Sequence, residues 1–319
     1  MAEKSPKSPK VTLRSLAKEL DVSPATVMRA LNNHPNVTQG IRRKVISLAM
    51  KRNYQLPEHH ARQVAIVITD AAFDGYTGQL LSALSDELRS REIGFEIVVS
   101  KNIEFIHEHS YSGVISTVWE SGLEKFWPLE HNLPLVALNA APNIIEGIYQ
   151  VASDEKQGIA MGMEYLINKG KKRIAFVSTP LKNNPNAQER VEVFHDFCRS
   201  HNLAESFHEE HTVENPLEKI AASIIARQAD AVFASSETYA FPILHSLRQK
   251  NISVPKDIGI ISLELPLFSA CAAPPLTTIA QNFPQLAFHA VETLLKRIKK
   301  LHCKQKVCVP YNFIERESV

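Results

Sequence analysis

Ser23, Pro24, Ala25, Thr26 and Arg29 cluster where a short helix should begin, and their chemistry is that of contact rather than catalysis. A guanidinium grips a phosphate or two acceptors on a base edge, hydroxyls reach phosphate oxygens, and small apolar groups meet base methyls. Two helices must position this set. Thr12 can cap the first, and Leu13, Leu16, Ala17 and Leu20 follow at helical spacing. Asp21-Val22 breaks the pattern, and Asp is among the few residues that visit the left-handed region a tight turn needs. Ser23 caps the second helix, with Pro24 at the position where its missing N–H costs nothing. Val27, Ala30 and Leu31 then face the first helix, leaving Pro24, Ala25, Thr26 and Arg29 outside. The start of the second helix is what such a unit presents to the major groove.

Charge agrees with a polyanionic partner. Through Gln63 there are twelve Lys and Arg against Glu3, Glu19, Asp21 and Glu58, a net of +8; the whole chain is +2, so the remainder is −6. A basic head on a mildly acidic body reads as a phosphate-binding module joined to something with another task. Thr38 can cap a third helix running to about Asn53. Ile41, Val45, Leu48 and Ala49 are its expected inner face, Arg42, Arg43, Lys44, Lys51 and Arg52 its outer one, and Tyr54 closes the small core.

Residues 11–38 resemble the headpiece of the lactose-repressor/galactose-repressor family of bacterial transcription regulators. Val11-Thr12, Leu16-Ala17, Val22-Ser23, Thr26-Val27, Arg29, Asn32, Val37 and Tyr54 carry the likeness. It implies that Pro24, Ala25 and Arg29 read base edges. Thr12, Ser23, Thr26, Asn32 and Thr38 would hold phosphates, and Leu13, Arg14 and Asn36 are further candidate contacts. Met28 stands where that family usually has Ser. The family's hinge pattern is only partly present: Ala61-Arg62 matches, but Glu58 replaces Asn and Val64 replaces the Leu that wedges the minor groove. Val64 also opens an apolar run, so residues 57–63 form a shortened linker without a conventional wedge. His59-His60 reads as solvated linker.

From residue 64 the pattern alternates between strands and helices. Strands are expected at 64–70, 95–100, 111–118, 133–140, 173–179, 229–236 and 257–264. Helices are expected at 77–94, 154–170, 186–202, 238–251 and 283–301. Such alternation implies parallel sheets with helices on both faces, here in two halves, one to about Asn139 and one from Asp154. The segments 151–158, 274–281 and the terminal 314–318 extend the resemblance nearly to the C-terminus. The expected architecture is a three-helix helix-turn-helix headpiece (11–56), preceded by a disordered basic arm (1–10) and followed by a two-lobed, periplasmic-binding-protein-like α/β core (64–319). Residues 101–110 are too few for the family's usual helix, so this lobe is trimmed to a turn or two there.

The same resemblance assigns a cleft. Phe73 and Tyr76 follow the first strand, Trp119 and Glu120 the third, and Asn139 ends the fourth where Asp is usual. Arg190 matches an effector-gripping Arg, and Glu237 and Glu264 fall where Asp is common. Carboxylates, an Arg and aromatic rings suit a hydroxylated, sugar-like ligand, though another metabolite, or none, fits the altered side-chain lengths.

No Gly-x-Gly-x-x-Gly, phosphate loop or Gly-x-Ser-x-Gly elbow is present. His208–His211 lacks metalloprotease spacing and is expected in a loop; His107 and His109 flank Glu108 without further ligands. The four cysteines have no metal spacing, no apolar run approaches 18 residues, and residues 1–10 lack a signal-peptide core. The reading is therefore a cytoplasmic, nucleoid-associated regulator without cofactor, metal site or membrane segment, not an enzyme. It would bind a palindromic DNA operator as a homodimer under a small effector. Two alternatives stay open: an effector-independent regulator, and a binding module of the periplasmic sugar-binding type.

Overall fold

A computed structural model describes residues 11–319 apart from 33, 35, 53, 55–62, 70–74, 107–110, 118–132 and 141–147, with backbone alone at 39, 43, 50, 104 and 105. The expected arm (1–10), most of the linker with Ala61 and Arg62, and Phe73, His107, His109, Trp119 and Glu120 lie outside the described residues.

Three helices come first: α1 (Leu13–Glu19), α2 (Pro24–Leu31) and α3 (Gln39–Lys51). The start of α1 is a capping box. Thr12 Oγ1 accepts from Ser15 N–H at 3.2 Å and Ser15 Oγ accepts from Thr12 N–H at 2.9 Å. Asp21 takes the left-handed turn at φ 53°, and Ser23 Oγ accepts from Thr26 N–H at 3.0 Å to start α2 behind Pro24. Leu16, Ala17, Val27, Ala30, Leu31, Val45 and Ala49 form the core, with Tyr54 against it. Ile41 does not join them: it is 36 % exposed, and Val37, just ahead of the helix, is buried in the cluster instead.

The body has two parallel sheets. The first takes β1 (Gln63–Ile68), β2 (Gly94–Val99), β3 (Gly113–Ser116), β4 (Leu135–Leu138), β5 (Tyr149–Ser153) and β11 (Lys306–Val309), in the order β11-β5-β4-β3-β1-β2. The second takes β6 (Ile174–Ser178), β7 (Phe207–Glu210), β8 (Ala231–Ala234), β9 (Gly259–Leu263), β10 (Thr277–Ala280) and β12 (Asn312–Ile314), in the order β12-β10-β9-β8-β6-β7. Among the described strands only β12 runs antiparallel. Register follows the apolar runs: Ile66 lies between Ile97 and Ile115, and Phe176 beside Phe233. The helices are α4 (Gly75–Ser90), α5 (Glu155–Asn168), α6 (Pro185–Ser200), α7 (Leu217–Ala226), α8 (Ala240–Gln249), the short α9 (Phe268–Cys271) and α10 (Phe283–Ile298).

Chain crossings define the lobes. The chain leaves the first sheet after β5, returns from the second after β10, and crosses again between β11 and β12. The first lobe is held by Leu80, Leu84 and Leu88 of α4 packed with Leu286, Val291 and Leu294 of α10 over β1, β3, β4 and β5. Each such buried side chain contributes roughly 1.5–3 kcal/mol.

Several local expectations need correction. The helix expected at 77–94 ends at Ser90, because Glu92 takes the left-handed conformation at φ 57°, before Gly94 opens β2. The segment His208–His211 is not a loop: three of its residues lie in β7, on the sheet edge. His208 Nε2 lies 2.7 Å from Ser178 Oγ and Glu210 accepts from Leu181 N–H, so these polar groups brace an edge strand. β5, α7 and β10 also went without an expected element. By contrast Gly170, at φ 82°, stops α5 where expected, and residues 100–105 form a 3-10 turn in place of a full helix.

Candidate functional sites: an exposed helix start and an interlobe recess

In the head, Thr12, Arg14, Ser23, Pro24, Ala25, Arg29, Asn32, Asn36 and Thr38 are exposed, and Leu13 and Thr26 are half-buried. Helix geometry explains this. Val27, Ala30 and Leu31 turn inward, so residues 24, 25 and 29 turn out. Arg29 has no ion pair among the described residues. Other head cations are engaged. Arg42 Nη2 donates to His34 O and Val37 O at 3.0 and 3.3 Å, tying down the loop before α3. Arg52 forms a bidentate pair with Glu19, its bonds 2.8 and 3.1 Å. Net charge alone makes these cations alike, but side-chain geometry leaves Arg14, Lys18, Arg29, Lys44 and Lys51 exposed with no ion pair among the described residues.

In the body, Asn139 sits at the end of β4 in the left-handed conformation, φ 45°. Its Nδ2 donates to Tyr76 Oη at 2.8 Å and Gln281 Oε1 at 3.1 Å, and its Oδ1 accepts from Ser153 N–H at 2.8 Å. Asn186 of α6 donates to its carbonyl at 2.8 Å. One residue, through its side-chain amide and its backbone carbonyl, thus joins α4, two interlobe crossings and the second lobe. Asp at this position would lack the Nδ2 donor that Tyr76 and Gln281 share. Burial pushes the Tyr76 phenol up to about 12, so it stays protonated.

Arg190 and Glu264, both expected to meet a ligand, each have a charged partner within the protein. Arg190 Nε and Nη2 donate to the two carboxylate oxygens of Glu155 at 2.7 and 2.8 Å, and Nη1 donates to Ser235 O at 3.1 Å. Tyr311 Oη donates to Glu155 Oε2 at 3.0 Å. The Arg190 and Glu155 side chains are 12 % and 5 % exposed. Burial works against the Arg190 charge, and Glu155 more than restores it, so its pKa is raised. Burial, with Glu155 beside it, holds the Tyr311 phenol well above its ordinary value. The sequence has a local reason for this knot. Asp154 caps α5 by accepting from Gln157 N–H, which puts Glu155 in the first turn facing inward. A Cβ on Gly158 would lie 2.6 Å from the Tyr311 ring, so Gly there lets the ring in. Glu264 accepts from Arg316 Nη2 and Nη1 at 2.9 and 3.0 Å, and also from Thr278 Oγ1.

Between the lobes lies an open recess lined by Tyr76, Gln79, Glu237, Glu264, Gln281 and Phe283 among others. Three residues expected to meet a ligand, Tyr76, Glu237 and Glu264, come together in it; Asn139 bonds its Tyr76 wall from behind, and Arg190 is held aside. The lobes approach closely beside it. A Cβ on Gly75, at the start of α4, would lie 2.6 Å from Leu265 and 3.7 Å from Glu237 Oε1. Gln79, Gln281 and Phe283 were not anticipated. The last two flank the crossing at 280–283, and its position between a strand and a helix that serve opposite lobes was the signal available. Glu155, Tyr311 and Arg316 were missed as partners because pairing across about 35 to 156 positions leaves no local pattern.

Parallel sheets in two lobes, joined by three crossings with a recess between them, define a periplasmic-binding-protein-like receptor body. Residues 163–319 match the model of the periplasmic binding protein-like domain. The whole chain is similar to the probable HTH-type transcriptional repressor ExuR of Bacillus subtilis (strain 168), 25 % identical over 97 % of this chain and 98 % of that one. It is also similar to the ribose operon repressor of the same organism, 26 % identical over 96 % and 98 %. Among solved structures, the Lac repressor dimer bound to operator and the anti-inducer ONPF shares the fold at a TM-score of 0.72 and 18 % identity, covering 97 % of this chain and 99 % of that one. Along nearly its whole length the chain is thus similar to repressors of the kind that the headpiece resembles.

Proposed function

We propose that the protein is a sequence-specific DNA-binding transcription repressor that acts as a homodimer on a palindromic operator and is modulated by a small hydroxylated effector. It is a regulator, not an enzyme, working in the cytoplasm on the nucleoid. The observation that carries this reading is the pairing of an exposed, capped helix start bearing Arg29 with a receptor body along one chain, the same pairing that the full-length similarity to named repressors spans. In this reading residues 11–56 are a helix-turn-helix headpiece, 57–63 a short linker and 64–319 the effector-binding and dimerising core. Pro24, Ala25 and Arg29 read bases; Thr12, Ser23, Thr26, Asn32 and Thr38 position the head on phosphates, with Leu13, Arg14, Asn36, Ala61 and Arg62 at the margins. A symmetric dimer repeats these contacts on two half-sites.

The effector site is the interlobe recess, with Tyr76, Glu237 and Glu264 in its wall and Asn139 and Arg190 behind it; Phe73 and Trp119 are candidates by the resemblance alone. Its position between lobes supplies the control: a ligand that binds one lobe arrangement better than another shifts the population. Solved relatives with bound xylulofuranose, cellobiose and ribose support a sugar-like class. The test is operator selection followed by anisotropy titration across salt. The expected result is preference for a two-fold-symmetric site, with affinity falling steeply as salt rises. Absence of any symmetric preference at every salt concentration overturns the reading.

A further inference from the structure

The charges around the interlobe recess are unevenly matched, and the imbalance bears on what it binds. Among the described residues the arginines near it are engaged, Arg190 by Glu155 and Arg316 by Glu264, each in a bidentate pair. Among the described residues no lysine or arginine lines the recess. Glu237 is different. It is half-buried, it lines the recess, and it has neither an ion pair nor a hydrogen bond among the described residues. Beside it stand Tyr76 and Phe283, edge to face with centroids 5.8 Å apart, and the amides of Gln79 and Gln281.

An anionic ligand would meet Glu237 with no free cation among the described lining residues to offset it. It could recruit Arg190 only by displacing Glu155, whose side chain is 5 % exposed and would then be a buried, unpaired carboxylate. A cation meets the opposite situation. Glu237 accepts a charge-assisted hydrogen bond from it, and aromatic faces attract positive charge. The glutamine amides serve hydroxyls as both donors and acceptors. Resting on the effector site proposed above, we infer that the recess takes a ligand carrying a protonated amine on a small hydroxylated frame, an amino sugar or amino alcohol, and discriminates against carboxylates and phosphates. Glu237 is the residue that selects the amine. Glu155 occupies Arg190 in the way a ligand carboxylate otherwise would.

The test uses the full chain and matched probes: glucosamine and galactosamine, glucose and galactose, glucuronate and galacturonate. Binding is measured by calorimetry at a pH about one unit below the pKa of the amines, with operator binding of the same preparation measured alongside. The expected order is amine, then neutral sugar, then acid, with an amine advantage over the neutral sugar of about tenfold, one charge-assisted bond's worth. Glu237→Gln is expected to abolish that advantage while neutral-sugar binding persists. The inference is overturned if an acid binds best, if Glu237→Gln keeps the amine preference, or if none of the six binds while operator binding is intact. Failure of the unaltered chain to bind any operator strikes the regulator reading instead.

Discussion

Arg29 and Arg190 are the same side chain put to opposite uses. Arg29 stands exposed on a helix start with no ion pair among the described residues; Arg190 is buried, with both carboxylate oxygens of Glu155 on its guanidinium. An exposed cation keeps its hydration and its long-range field until a polyanion arrives, and binding then releases counterions. A buried one must be matched at once, because an unpaired charge in a low-dielectric interior is costly. The head therefore presents attraction to the outside, while the body pairs the buried charges of Arg190 and Glu264 and, among the described lining residues, leaves Glu237 unmatched beside the recess. Charge that looks interchangeable in a composition has been divided by burial into a binding surface and a structural lock.

The sharpest way to break the comparison is Glu155→Ala. It strips the partner from Arg190 and the acceptor from Tyr311, and the expected loss is about 3–5 kcal/mol in unfolding free energy. Chemical denaturation with the slope held constant measures it. A loss under about 1 kcal/mol would mean that Arg190 finds water or another acceptor and that the lock is weak. Next comes Arg29→Ala, expected to leave unfolding unchanged and to weaken operator binding by about 1–3 kcal/mol, with a smaller effect on random DNA. Equal losses on both DNAs would reassign Arg29 from base reading to phosphate anchoring. Ser23→Ala is smaller again: it removes the acceptor for Thr26 N–H and should cost about 1 kcal/mol of stability. Serine's return, or Asp in its place, should restore stability, and only the serine is expected to restore phosphate contact in full.

How far these two regions were legible differs for a physical reason. The head is local. Its caps at Thr12 and Ser23, the left-handed Asp21 and the inward set Leu16, Ala17, Val27, Ala30 and Leu31 are all fixed by neighbours within a few positions, and the structure has each of them. Ile41 is the exception, because a helix end can satisfy its apolar stripe with a residue outside the helix, here Val37. The body's alternation was also local, and so both parallel sheets were readable. Short strands with polar residues were not: β7 carries Phe207-His208-Glu209-Glu210, and nothing in that tetrapeptide announces an edge strand. The recess was half legible. Tyr76, Glu237 and Glu264 could be placed by the resemblance, but the partners that disarm Arg190 and Glu264 come from Glu155 and Arg316, brought near only by the crossings between lobes. A residue's identity proposes a contact; its neighbours in space decide whether it is free to make it.

The smallest effect sharpens the comparison from the other side. Arg52–Glu19 has the same bidentate geometry as Arg190–Glu155, with bonds of 2.8 and 3.1 Å, but its side chains are 52 % and 42 % exposed. Water competes for both groups, salt screens them, and holding two long side chains together costs entropy, so such pairs contribute little. Glu19→Gln is therefore expected to leave the unfolding midpoint unchanged within error, where Glu155→Ala moves it clearly. The same change removes one negative charge from the head and leaves Arg52 without its partner. Operator and random DNA should then both bind slightly tighter at low salt, with the gain gone at high salt. A clear fall in stability would show that the pair fixes the end of α3 against α1, and that geometry rather than burial sets what an ion pair contributes in this protein.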